Sequence, residues 1–181
     1  MRLVETKVFT LDELSDQAKS NARDWYRAAS DDYDWWDSVY EDFTMIAEIL
    51  GITLKKRDIQ FSGFSSPGDG ACFEGSYAYK PGASLAIASY APLDKTLHSI
   101  ARTLQKIQRP YFYKLETKIA YRGNYYHEFC MDIDEPLLAE PLRDLARWLR
   151  DQHDYLNSDP SVDEMILCNE YTFTEEGKRF G

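Results

Sequence analysis

The apolar positions of this chain change period several times, and each change marks an element. Leu11, Leu14, Ala18, Ala22 and Trp25 recur at steps of three and four, the repeat that keeps side chains on one helix face. Thr10-Leu-Asp-Glu13 ahead of them is a capping-box pattern. The helix is therefore expected to begin near Leu11, after a short strand at 8–10. A second helix is predicted over 33–50, with Trp35, Val39, Phe43, Ile46 and Leu50 inward and Gly51 in the C-terminal capping position. Ile59 and Phe61, and then Phe73, Gly75, Tyr77 and Tyr79, alternate with a period of two. They read as two antiparallel strands joined by a glycine-rich loop, the second ended by Lys80-Pro81-Gly82.

A third helix is predicted over 93–107, with Leu97, Ile100, Ala101, Leu104 and Ile107 inward, stopped at Arg109-Pro110. Two alternating runs, 112–121 and 125–133, flank Arg122-Gly123-Asn124 and read as a hairpin. A fourth helix is predicted over 136–156 on Leu138, Leu142, Leu145 and Leu149. The tail suggests a helical turn around Met165-Ile166-Leu167 and a strand-like 170–173. Helices alternating with hairpins imply an α+β fold: an antiparallel sheet of about four main strands in two hairpins, packed with about four helices. No repeat, linker or internal boundary stands out, so a single domain over 1–181 is expected.

Charge changes the picture more than overall composition does. The chain carries a net charge of -10 and thirteen tyrosines. Residues 31–43 hold six carboxylates (Asp31, Asp32, Asp34, Asp37, Glu41, Asp42), five aromatic residues and no positive charge. In helical phase Asp34, Asp37, Glu41 and Glu48 lie outside, with Trp36 and Tyr40 one turn apart at the flank. Such a field repels nucleic acid and attracts basic surfaces. Between Lys95 and Gly123 the balance reverses, with seven basic residues (Lys95, Arg102, Lys106, Arg109, Lys114, Lys118, Arg122) against Glu116, or 7 - 1 = +6. Internal pairing and solvation are the expected fate of that strip.

Candidate chemistry is sparse. Gly68-Asp-Gly70 fits neither the dinucleotide nor the phosphate-loop pattern and reads as a turn. An enzyme would use that loop over a pocket lined by Cys72, Tyr125 and His127, with Cys72 and His127 as the catalytic pair. Glu116-Thr-Lys118 lacks a strand-borne acid upstream for a metal nuclease, and His98 and His153 show no metal spacing. Neither metal nor cofactor is expected. The three cysteines (Cys72, Cys130, Cys168) show no pairing pattern, and the start of the chain has no apolar signal core. A cytoplasmic location without membrane contact follows as an expectation.

Three stretches add a resemblance. Val8-Phe-Thr-Leu-Asp-Glu-Leu-Ser15 with Ala22-Arg-Asp-Trp-Tyr26, Tyr33-Asp-Trp-Trp36 with Glu41-Asp-Phe43, and the loop segment 61–75 together resemble a family of small phage and prophage proteins. That family carries the label "antitoxin of toxin–antitoxin stability system". The segments 104–109, 121–128 and 169–177 continue the match. The resemblance implies phage association and an acidic, inhibitory class of protein, and it brings no active-site residues with it. The sequence reading is thus a non-enzymatic protein that neutralises a host toxin or a nucleic-acid-directed defence complex, in the manner of an antitoxin or an anti-CRISPR protein. Its partner would present a basic surface to Asp31, Asp32, Asp34, Trp36, Asp37, Tyr40 and Glu41. Direct nucleic-acid binding is disfavoured on net charge, and the oligomeric state is left open.

Overall fold

The computed structural model describes residues 7–30, 36–61, 69–123 and 126–180. The α-helices are α1 (Asp16–Ser30), α2 (Trp36–Leu50), α3 (Ala83–Tyr90), α4 (Lys95–Gln108), α5 (Pro136–Leu156) and α6 (Asp159–Cys168). The strands are β1 (Ile52–Thr53), β2 (Ile59–Phe61), β3 (Ala71–Phe73), β4 (Gly75–Ala78), β5 (Glu116–Tyr121), β6 (Met131–Ile133), β7 (Thr172–Phe173) and β8 (Arg179–Phe180). The fold is α+β, with a main antiparallel sheet in the order β1-β4-β5-β6 and two two-stranded ribbons, β2-β3 and β7-β8. The residues divide into two compact units, 36–152 and the pair of terminal segments 1–35 with 153–181.

In the terminal unit the Thr10 backbone N–H and hydroxyl both donate to the Glu13 carboxylate, at 2.8 and 3.0 Å. The pattern Thr10–Glu13 thus caps a 3-10 turn, Leu11–Glu13, and α1 proper starts at Asp16. Leu11, Leu14, Ala18 and Ala22 bury against Val162, Ile166 and Phe173. Trp25 meets Tyr171 and Phe173 edge to face at 5.3 and 5.8 Å, a favourable geometry for ring quadrupoles. Arg23 grips Asp163 with two bonds of 2.6 and 2.7 Å and reaches Asp159 at 2.9 Å, which ties α1 to α6. Gly177 has φ +79, and a Cβ there would stand 2.0 Å from the Ala18 carbonyl oxygen, so no larger residue fits.

In the central unit α2 buries Val39, Phe43, Ile46 and Leu50, and α5 buries Leu138, Leu142, Leu145 and Leu149, both as their spacing predicts. Gly51 turns the chain at φ +90 into β1, and its carbonyl accepts from Ala78 N–H at 3.0 Å. The Asp94 carboxylate caps α4 by accepting from Leu97 N–H at 2.9 Å, while its other oxygen accepts from Trp148 Nε1 on α5 at 2.7 Å. That one side chain sets the start of α4 and ties it to α5.

Two expectations for this unit are corrected. The segment after α4 is not strand from residue 112: a 3-10 turn at Arg109–Tyr111 leads to Phe112 and Tyr113 at φ 55 and 61, and β5 begins only at Glu116. The buried Gln108 amide explains the delay, because it donates to Leu115 C=O at 2.7 Å and accepts Leu115 N–H at 3.1 Å. The β5–β6 connection is also longer than a tight hairpin, pairing Tyr121 with Met131. It contains a 3-10 turn, Glu128–Cys130, whose Glu128 is buried against α5. Helix α3 escaped the sequence pattern, for Ile87 is its only buried residue and its composition is nearly uniform along the helix.

Candidate functional site

Among the sequence candidates Asp31, Asp32 and Asp34 lie outside the described residues, as do Tyr125, Gly68 and the Trp36 side chain. Asp37, Glu41, Met45 and Glu48 form the exposed row of α2, opposite its buried face. Lys56 Nζ bridges Asp37 at 3.1 Å and Glu41 at 3.5 Å, and the hydrogen bond to Asp37 chiefly raises the lysine pKa. Lys80 Nζ donates to the Glu48 carbonyl at 2.8 Å, capping the helix end. Asp42 accepts the Tyr90 hydroxyl, a bond that first among its causes pushes that phenol up to about 12. Tyr40 does not stand free beside the acids: it is half-buried, and burial, with Cys72 nearby, pushes its hydroxyl up to about 12.

The glycine loop does end against His127. A Cβ on Gly70 would stand 2.7 Å from the Tyr126 carbonyl oxygen and 3.2 Å from His127 Cδ2, so only glycine permits this approach. Cys72 follows on β3 and is fully buried. Burial first, then Cys130 and Glu74, pushes its thiol up to about 12. A thiol held protonated at neutral pH is no nucleophile. His127 is committed to structure: its Nδ1 accepts Phe129 N–H at 3.2 Å, and its ring stacks on Phe129 at 4.9 Å.

Sequence reasoning missed a charged cluster beside it. Glu128 is 4% exposed and accepts from Arg147 Nε at 3.2 Å; Arg147 Nη1 also reaches Glu140 at 3.0 Å and Asp144 at 2.5 Å. These carboxylates, Glu140 foremost, raise the guanidinium pKa further. Arg147 also lies over the Phe129 ring at 5.3 Å. With Asp144, Asp151, Lys95, Thr96 and Ser99 it lines an open groove of about 450 Å³ between α4 and α5. The outward arginine of α5 was the available signal, but its partner lies nineteen residues upstream on another element.

The basic strip is mostly solvated, with one internal pair. Arg122 pairs with Asp132 at 2.9 Å. Lys95, Arg102, Lys106, Arg109, Lys114 and Lys118 are exposed and make no ion pair among the described residues. No acid occurs within α4 itself to neutralise them. The described residues hold no group of three or more His, Cys, Asp or Glu arranged for a metal ion, and no helix among them is long and apolar enough to cross a membrane.

The unit 36–152 therefore presents an acidic helix face, a polar groove and a basic helix face. No curated protein and no solved structure matches the chain. Residues 35–159, well over half the sequence and including all of that central unit, match the family "Domain of unknown function (DUF8835)", and the chain belongs to that family.

Proposed function

We propose that this chain is a non-enzymatic binding protein that inhibits or neutralises a host factor by capturing a basic protein surface. The observation that carries this reading is the exposed row of α2. Asp37, Glu41 and Glu48 flank the 49%-exposed Met45, and one lysine side chain, Lys56, faces the first two carboxylates. Clustered carboxylates speed and orient encounter, and an apolar side chain among them supplies desolvated contact area. Asp31, Asp32 and Asp34 precede the row in sequence and would extend its field. Origin in a phage or mobile element, action in the host cytoplasm, and an antitoxin-like or anti-defence role belong to the same proposal and rest on the sequence resemblance. Competition with nucleic acid for the partner's basic groove is one form the inhibition would take. The raised Cys72 thiol weighs against the enzymatic alternative.

The test compares wild type with Asp37→Lys/Glu41→Lys/Glu48→Lys, all at exposed positions, in affinity capture from cell lysate read by mass spectrometry. A partner retained by wild type is expected to be lost by the triple variant and released as salt shortens the Debye length below about 8 Å. Capture indifferent to both charge reversal and salt would refute the reading.

A further inference from the structure

We propose that the C-terminal half of α4 and the aromatic tip that follows it form a binding site for single-stranded nucleic acid. At 100° per residue, Lys95, Arg102 and Lys106 fall within about 40° of one another on α4, opposite the buried Leu97, Ile100 and Leu104, and Arg109 follows as the C-terminal cap of the helix. The stripe runs the length of the helix, about 21 Å at 1.5 Å per residue. Asp144 and Asp151 approach its Lys95 end across the groove. Arg102, Lys106, Arg109 and Lys114 do not line that groove and make no ion pair among the described residues.

The tip supplies the second half of the site. Tyr111, Phe112 and Tyr113 are 45%, 82% and 42% exposed. Phe112 and Tyr113 occupy the left-handed region at φ 55 and 61, a conformation that costs bulky residues about 1–2 kcal/mol each. The fold holds them there: Tyr113 N–H donates to Gln108 C=O at 3.0 Å, the Gln108 side chain clamps Leu115, and Tyr113 packs on Tyr79 at 4.5 Å. A strained, braced loop therefore projects an exposed phenyl ring just beyond the end of α4, flanked in the chain by Arg109 and Lys114, which make no ion pair among the described residues. Strain kept at an exposed tip is a mark of function.

Cations along a line with a projecting aromatic ring match a phosphate backbone bearing unstacked bases. The shape excludes the other anionic partners. A duplex or a vesicle presents a broad surface, whereas the cations here lie along one narrow line. A single strand touches the stripe alone. An acidic peptide would satisfy the cations, but a ring that projects rather than lines a pocket encloses no side chain, whereas either of its faces accepts a base.

The experiment is fluorescence anisotropy of a labelled twelve-nucleotide oligouridylate titrated with the full chain at about 50 mM salt. Saturable binding is expected, with log K falling against log salt at a slope of about -2 to -3, from three or four contacts at roughly 0.7 each. Arg102→Glu/Lys106→Glu/Arg109→Glu is expected to abolish binding. Phe112→Ala, at a position too exposed to endanger folding, should weaken it about tenfold at unchanged salt slope, and Phe112→Trp should restore it. Absence of binding overturns the proposal. So does affinity indifferent to these variants, or a duplex, a phosphatidylserine vesicle or polyglutamate competing as well as unlabelled oligouridylate.

Discussion

Gly51 and Gly82 offer a controlled test of how α2 is locked onto the sheet. Both have positive φ, +90 and +82, so alanine at either position carries the left-handed penalty of about 1–2 kcal/mol, partly offset by the 0.4–1 kcal/mol that alanine removes from unfolded-chain entropy. Only their surroundings differ. A Cβ on Gly82 meets nothing within 4 Å, whereas one on Gly51 stands 2.2 Å from the Ala78 carbonyl oxygen and 3.1 Å from Lys80 Cβ. Contacts under 3.0 Å force a shift, and the atom in the way is backbone of β4, the second strand of the main sheet. Overpacking of this kind costs about 1–3 kcal/mol. Gly82→Ala should therefore cost about 1 kcal/mol and Gly51→Ala about 2–4 kcal/mol. Urea unfolding followed by circular dichroism measures both, with the midpoint shift converted at a shared m-value. Equal losses at the two sites would mean that backbone angle alone is responsible and that the close approach of the α2–β1 turn to β4 is not a constraint.

Four further outcomes follow from named contacts. Arg147→Ala leaves the buried Glu128 without its guanidinium partner and should cost about 2–3 kcal/mol, whereas Glu128→Gln leaves Arg147 with Glu140 and Asp144 and should cost less; the reverse order in denaturant midpoints would refute the assignment. Gln108→Leu orphans both Leu115 backbone groups and should destabilise by about 2 kcal/mol, with loss of protection at the Leu115 amide in hydrogen exchange. The Asp159 pKa is lowered from 3.8, chiefly by the Arg27 hydrogen bond, so its contribution is present above pH 3.8 and lost as pH falls through the lower folded value. Asp159→Asn should then flatten acid unfolding of the terminal unit, and an unchanged acid limb would contradict the pairing. Alkylation mapped by mass spectrometry should modify exposed Cys168 first and the buried, protonated Cys72 only on unfolding.

The elements that could be read directly from the chain are those whose own residues carry the whole signal. The leucines of α5 repeat at steps of four and three, and the helix has the bounds that their spacing and Pro136 imply. Thr10 and Glu13 are three apart and do bond, and Gly51 ends α2 because the left-handed turn there excludes a side chain. The acid row of α2 was likewise visible as helical phase, since Asp37, Glu41 and Glu48 differ by four and seven. In each case a helix period or a local cap decides, and both depend on residues within one or two turns.

Long-range partners decided the rest. Nothing in Phe112 or Tyr113 announces a positive φ; the Gln108 clamp and the stack on Tyr79 impose it. Helical phase alone placed Tyr40 beside the acids, but packing near Cys72 half-buries it. The chain shows that Glu128 and Arg147 are charged, but only the fold puts the carboxylate in the interior and the guanidinium against it. The seven basic residues of 95–123 were countable from the start, but which would remain free was not. Charge is a property of each residue, whereas neutralisation depends on distance, and distances between elements exist only once the chain has packed.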